Sequence, residues 1–227
     1  MGAQETQYPY VLCRRFLLGG LSPGMHVLDV GCGDGCLMTE IAAKGCSVVG
    51  VEIDKSVVQS HVVRGLEVYE GRAERLPLVD ESFDAIVCSV VLPYTDEKQS
   101  VTEWMRVLKP GGIVNASYHG VGLGLGYVVH GPGWRLRFYG LRMLANTLFY
   151  RLTRFRLPGF LGDTLCQTSR RMVSYYRASG LQLEQEQIVD KTMGFPRFLC
   201  HRIVKNRELN SAHAQCAQQG ETAVKEG

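Results

Sequence analysis

Val27-Leu28-Asp29-Val30-Gly31-Cys32-Gly33-Asp34-Gly35 reads as a short apolar strand running into a tight glycine turn, with an acid near the strand's end. Gly31 and Gly33 carry no Cβ, so the backbone can turn sharply there and come close to a ligand. Asp29 puts a carboxylate where that ligand would lie. A phosphate is repelled at such a position, and an ammonium or sulfonium is attracted. The stretch therefore points away from a dinucleotide and towards S-adenosylmethionine, which carries both cations and no phosphate.

The segments that follow extend the pattern. Ser47-Val48-Val49-Gly50-Val51-Glu52 is a second apolar strand that ends in a carboxylate. About 20 residues beyond the glycine turn, such an acid is placed to accept hydrogen bonds from ribose hydroxyls. Glu74-Arg75-Leu76-Pro77-Leu78 then leads into the apolar run Ser82-Phe83-Asp84-Ala85-Ile86-Val87-Cys88. Met105-Arg106-Val107-Leu108-Lys109-Pro110-Gly111-Gly112 reads as a helix end followed by a Pro-Gly-Gly turn.

In this order, the motifs resemble those of the class I S-adenosylmethionine-dependent methyltransferases. They look most like the small-molecule branch typified by quinone-biosynthesis enzymes. The resemblance covers roughly Leu21 to Tyr118. It implies S-adenosyl-L-methionine as cofactor, with Asp29, Gly31, Cys32, Gly33, Glu52, Ile53, Ala73, Glu74 and Ser89 as the residues that hold it. Ala73 and Glu74 would lie along the adenine edge, and Ser89 and Leu92 beneath the methyl group. Arg72 departs from the family pattern, which has an aspartate there for the adenine amino group. Glu74 or a backbone carbonyl is expected to take over that contact.

Alternating strand and helix signals predict an α/β, Rossmann-like, doubly wound and mostly parallel sheet. Helices are expected over Tyr8–Leu18, Gly35–Lys44, Lys55–His61, Asp96–Leu108 and Gln167–Ser179. Further strands are expected over Leu66–Glu70, Phe83–Val90 and Gly112–Tyr118. Phe83–Val90 is nearly all apolar, as a central strand buried on both faces requires. Leu181–Val189 and Phe198–Val204 alternate and suit an antiparallel hairpin on the sheet edge.

With 227 residues, the chain suits one domain, expected over residues 1–205. Residues 206–227 are polar, lack an apolar stripe and are expected to be disordered. The segment from His119 to Cys166 exceeds the minimal fold. It opens on Gly120, Gly122, Gly124 and Gly126 and turns basic and aromatic from Trp134 to Arg156, with Leu141, Leu144, Leu148 and Leu152 at helical spacing. An insertion after the fifth strand lies over the ends of the parallel strands where ligands bind, so it reads as a substrate lid.

The formal charge of +3 leaves no global nucleic-acid footprint, and no nucleic-acid partner is expected. The eight cysteines are scattered without a Cys-x-x-Cys, as in reduced cytoplasmic proteins, and no metal site is expected. No signal peptide and no apolar run of the roughly 18–20 residues needed to span a bilayer is visible. Met1–Thr6 fits the loose N-myristoylation pattern, which short sequences match often by chance. A cytoplasmic location follows as the expectation.

Methyl transfer from a sulfonium is an in-line displacement, and alignment alone supplies much of the acceleration, on the order of 7–11 kcal/mol in favourable cases. A base matters when the acceptor must lose a proton early. His119 directly follows the fifth strand and is the candidate general base, since an imidazole takes a proton near neutral pH. A loop histidine satisfied by backbone fits the same position. His130 and Asp163 are weaker candidates on the lid. Val91-Leu92-Pro93-Tyr94 lacks the amide and first proline of the Asn-Pro-Pro-Tyr loop used on amino groups, which sets DNA and protein acceptors aside. Tyr94 remains a candidate for lining the acceptor pocket.

The lid arginines fit a solvated face, an acidic substrate, or a helix on an anionic membrane surface. The expected function is methylation, at oxygen by family frequency, of a small hydrophobic or lipid-linked acceptor, with peripheral contact to a membrane. Two rivals stay open. A nicotinamide-dependent dehydrogenase is opposed by Cys36, which stands where Gly-x-Gly-x-x-Gly needs its third glycine. A non-catalytic S-adenosylmethionine-binding regulatory or scaffold protein would show the same motifs.

Overall fold

A computed structural model describes residues 11–157 and 164–206. Asp163, the Met1–Thr6 pattern and positions 207–227 of the tail lie outside these residues. Helix α1 covers residues 11–17. It is followed by β1 (His26–Val30), α2 (Cys36–Ala43), β2 (Ser47–Glu52), α3 (Lys55–Val63), β3 (Val68–Glu70) and β4 (Phe83–Ser89). A short 3₁₀ turn, Leu92–Tyr94, precedes α4 (Glu97–Val107) and β5 (Leu108–His119). The lid contains α5 (Val121–His130) and α6 (Trp134–Thr153), and α7 (Ser169–Ala178), β6 (Leu181–Thr192) and β7 (Phe195–Lys205) close the described chain.

The seven strands form one sheet in the order β3-β2-β1-β4-β5-β7-β6. Strands β1 to β5 pair in parallel, and β7 runs antiparallel to both β5 and β6. This is the Rossmann-like sheet and edge hairpin expected from the strand signals. The strand order reverses between β1 and β4, so a crevice opens at their carboxyl ends.

Burial on both faces explains the apolar runs. Val27, Ala85 and Val87 point to one face with Leu17, Leu21 and Ile41. Leu28, Val30, Ile86 and Cys88 point to the other with Trp104, Tyr118 and Tyr176. Successive strand residues alternate between faces, which is why so few polar residues are tolerated there.

Strands β6 and β7 each run three residues further towards their shared turn than expected, to Thr192 and from Phe195, and two other elements differ more. Strand β5 starts at Leu108, four residues earlier than the expected Gly112. Phe83 pairs with Leu108 and Ala85 with Ile113, so Lys109-Pro110-Gly111-Gly112 bulges out inside the strand. The Pro-Gly-Gly turn is present, but the strand begins before it. Lys109 Nζ holds the bulge to Asp84 Oδ1 at 2.8 Å.

The second difference is α5, a helix built on the glycine-rich start of the lid. Glycine weakens a helix interior, but here it permits close approach. A Cβ on Gly122 would lie 2.1 Å from the Phe195 carbonyl oxygen, and one on Gly140 of α6 would lie 2.6 Å from the Gly124 carbonyl oxygen. The glycines let α5 pack against the β6–β7 hairpin on one side and α6 on the other. The chain returns along the end of β5, where Gln167 N donates to His119 O at 2.7 Å and Leu165 N donates to Pro93 O at 3.0 Å.

Candidate active site

The glycine turn after β1 is held from three directions. Gly31 has φ 71°, and its N–H donates to Val51 O at 2.8 Å. A Cβ there would come 2.3 Å from Val91 Cγ2, so only glycine fits. From β2, the Glu52 carboxylate accepts from Gly33 N at 3.1 Å, Ile53 N at 2.8 Å and Asp54 N at 3.2 Å. From α3, His61 Nε2 donates to Gly33 O at 2.6 Å and Arg64 Nη1 donates to Asp34 O at 2.9 Å. Glu52 was legible in the sequence. His61 and Arg64 were not, because residues about 30 positions away carry no signal of this contact.

Asp29 is 1% exposed. Its pKa is raised to about 7, first by burial and then by the negative charges of Glu52 and Asp34. Its Oδ2 has no hydrogen-bond partner among the described residues. A buried acid among further acids calls for a cation. Burial, helped by Asp29 and Glu52, pushes the Cys32 thiol up to about 12, so it is not a nucleophile at neutral pH.

Three cavities meet at the carboxyl end of β4. The first, about 300 Å³, is lined by Asp29, Gly31, Cys32 and Gly33, with Ser117 of β5 and Cys13, Arg14 and Leu17 of α1. The second, about 390 Å³, is lined by Glu52, Ile53, Ala73, Glu74, Tyr94 and Arg72. The third, about 410 Å³, lies beneath the lid between Tyr94, His119, Leu123, Tyr127, Tyr139 and Met143. Ser89 and Val90 line all three. Val90 holds φ 58°, a strained value for a β-branched residue, and its N–H donates to Ser117 O at 2.8 Å.

The nine residues read from sequence as cofactor-binding therefore gather around two adjoining cavities. Arg72 pairs with Glu74 at 3.5 Å, and Glu74 also accepts from Asp96 N at 3.1 Å. The second cavity thus has a fixed carboxylate at its edge. Leu92 is a correction: it is fully buried in the core below Ser89 and lines none of these cavities. The 3₁₀ turn that starts there points it inwards. His130 is a second correction, since it lies exposed at the end of α5, away from the third cavity.

His119 and Tyr94 do come together, with ring centroids 6.4 Å apart in an edge-on arrangement. Phe198 of β7 packs on the other side of His119 at 5.8 Å. Burial alone lowers the His119 pKa to about 4, so the imidazole is neutral at pH 7. Its Nδ1 is buried without a hydrogen-bond partner among the described residues, as is Ser117 Oγ. Unsatisfied buried polar atoms are rare in folded proteins. Here Asp29, Ser117 and His119 all line the joined cavities. No group of metal-binding side chains occurs among the described residues.

Sequence reasoning missed α1 as a wall of the first cavity. Asn115 of β5 seats that helix: its Nδ2 donates to Leu17 O and Gly19 O, both at 2.8 Å, and its Oδ1 accepts from Arg202 Nε at 3.0 Å. Arg14 of α1 pairs with Glu40 of α2 at 2.8 Å.

Comparison with known proteins agrees with this geometry. Residues 28–116 match the family described as Methyltransferase domain. The ubiquinone biosynthesis O-methyltransferase of Alkalilimnicola ehrlichii is 36% identical over 105 residues, which cover 43% of this chain and 42% of that protein. The demethylmenaquinone methyltransferase of Mycobacterium sp. (strain KMS) is 35% identical over 94 residues, 41% of each chain. The aligned stretch is thus less than half the length of either relative. The crystal structure of an S-adenosylmethionine-dependent methyltransferase from Mesorhizobium loti superposes with a TM-score of 0.63 at 17% identity, covering 86% of this chain and 97% of that one. That likeness shows a shared Rossmann-like fold.

Proposed function

We propose that this chain is a class I methyltransferase that binds S-adenosylmethionine in the first two cavities and methylates a small hydrophobic or lipid-linked acceptor in the third, at oxygen. The observation that carries the reading is the junction at Ser89 and Val90. There an acid-lined double cavity opens directly into an aromatic one beneath the lid. The match of residues 28–116 to the methyltransferase domain supports the same chemistry.

The residues present fit the cofactor. Asp29, buried with an unpartnered oxygen, suits an ammonium group. Glu52 keeps one lone pair, on Oε2, for a ribose hydroxyl beside the three backbone N–H groups it already accepts from. Ala73 and Glu74 flank the position of an adenine ring, and Cys32, Gly33 and Ile53 contribute mainly backbone. The cofactor, when bound, supplies a methyl group on an electrophilic sulfur. Ser89 and Val90 set the distance between the cavities, and alignment across that junction is the main catalytic contribution. His119, neutral at pH 7, accepts the proton of the acceptor hydroxyl, and Tyr94 closes the same wall. The aromatic lining by Tyr127 and Tyr139 favours a flat, apolar acceptor.

Glu52→Ala tests the placement. Its affinity for S-adenosylmethionine, measured by calorimetry, should fall by roughly 1.5–3 kcal/mol, the range for hydrogen bonds to a charged group. Unchanged affinity in a folded variant would remove Glu52 from the site. Tight NAD binding would overturn the reading altogether. Methylated product from quinol-type or phenolic acceptors separates an enzyme from a binding protein.

A further inference from the structure

The outer face of α6 carries an apolar stripe that the fold leaves uncovered. Trp134, Phe138, Leu141, Leu148 and Leu152 are between 54% and 75% exposed. With the exposed Ala145, they recur at alternating steps of four and three residues, so they form one line along the helix. The stripe extends for about 30 Å, the length of a 20-residue helix. Isolated exposed leucines need no explanation, but a continuous row of this length does.

The flanks of the stripe decide what covers it. Arg135, Arg137, Arg151 and Arg154 are exposed beside it. Residues 119–157 contain no aspartate or glutamate. A second copy docking through this face would bring arginines against arginines with no acid to separate them. An anionic partner is complementary. The stripe gives that partner an apolar layer to accept, and a membrane carrying acidic lipids has both layers at the right depth. No described helix is long and apolar enough to cross a bilayer, so α6 would lie on the surface rather than span it.

The opposite face of α6 adds a reason for the arrangement. Tyr139 and Met143 line the third cavity. The β6–β7 hairpin tip, packed against α5, also exposes Met193 and Phe195, at 71% and 52%. The hairpin tip thus adds exposed apolar side chains next to the α5–α6 pair.

We infer that α6 docks this protein on an anionic membrane surface, with its leucine stripe among the acyl chains and its arginines on the lipid phosphates. The inference rests on the surface of α6 and stands whether or not the cavities bind S-adenosylmethionine.

Co-flotation of the full chain with vesicles tests it. Vesicles of phosphatidylcholine with phosphatidylglycerol should carry the protein upwards at low salt and release it at about 0.5 M salt, because ions screen the attraction. Pure phosphatidylcholine vesicles should leave it behind. Leu141→Ser/Leu148→Ser/Leu152→Ser should lower the partition coefficient tenfold or more, by about the transfer cost of the lost side chains. Arg135→Gln/Arg151→Gln should lower it about 25-fold, near fivefold per arginine. All substituted side chains are exposed, so circular dichroism and cofactor affinity should be unchanged, which separates a failure of docking from a failure of the cofactor assignment. No flotation with the anionic vesicles, or equal flotation with both compositions, would overturn the inference. So would a dimer in sedimentation that Leu148→Glu dissociates, because the stripe would then belong to a second copy.

Discussion

At Asp29, burial and like charge act in the same direction. Both favour the protonated carboxyl, and its pKa stands at about 7 instead of the usual value near 4. For the protein alone, a raised acid pKa means that the folded state holds the proton more tightly than the unfolded state. The contribution of Asp29 to stability is therefore greatest at low pH and is lost as pH rises from about 4 to about 7. A cationic ligand reverses the preference, since it favours the ionised form. Affinity for S-adenosylmethionine should fall towards acid, by up to about tenfold per pH unit below pH 7. Asp29→Asn should bind more weakly at pH 8 and lose that slope. Calorimetry across this range checks both, and a flat wild-type profile would take Asp29 out of the cationic subsite. His119 is shifted the other way for the same reason, with burial holding it neutral down to about pH 4. Its ionisation should leave no inflection in the rate between pH 5 and 8, whereas an exposed histidine would give one near its unperturbed value of about 6.5. His119→Ala should slow turnover about 10²-fold, the low end for a general base, because burial has weakened it as a base. Single-turnover kinetics with unchanged cofactor affinity is the check, and a loss below about tenfold would mark His119 as structural.

Among the elements, those legible in the sequence are the ones whose local pattern and tertiary role agree. The run into Gly31, the acid at the end of β2, the buried strand Phe83–Ser89 and the alternating pair β6 and β7 all follow from period and turn chemistry. The illegible ones are those where tertiary packing overrides a local preference. In α5, Gly122, Gly124 and Gly126 argue against a helix by propensity. Those positions approach the Phe195 carbonyl, Leu144 and Thr192 closely, and at Gly122 a Cβ would collide with the Phe195 backbone, so tertiary packing selects glycine within the helix. In β5, Pro110 and Gly111 mark a turn, but Leu108 had already joined β4, so the turn became a bulge. Helix α1 showed mixed faces and no role. Its contribution to the first cavity depends on Asn115, almost 100 residues away, whose amide nitrogen donates to the Leu17 and Gly19 carbonyls at its carboxyl end. The strand-end residues of the first two cavities were readable because they follow the strands in order. The third was only partly readable, because Tyr127, Tyr139 and Met143 reach it from the inserted lid.

Across the whole molecule, the lid and the core are joined through a buried charge. Glu97, at the start of α4, is 1% exposed. Its Oε1 accepts from Arg171 Nη2 of α7 at 2.6 Å and from Gln167 Nε2 at 2.9 Å. Arg171 Nη2 also donates to Cys166 O at 2.7 Å, and its guanidinium lies 5.5 Å from the centre of the Tyr150 ring on α6. Arg156, just after α6, donates to the Pro93 and Thr95 carbonyls beside the cavity junction. The returning chain is thus tied to α4, α6 and the Tyr94 turn at once. Arg171→Met should leave Glu97 buried with a single neutral donor and cost about 3–5 kcal/mol in urea unfolding, because an uncompensated buried charge is expensive. Glu97→Gln/Arg171→Met removes both charges, and most of that loss should return. If the double variant is as unstable as the single one, the pair acts through shape and the Cys166 contact, and the charge on Glu97 is not what couples lid to core.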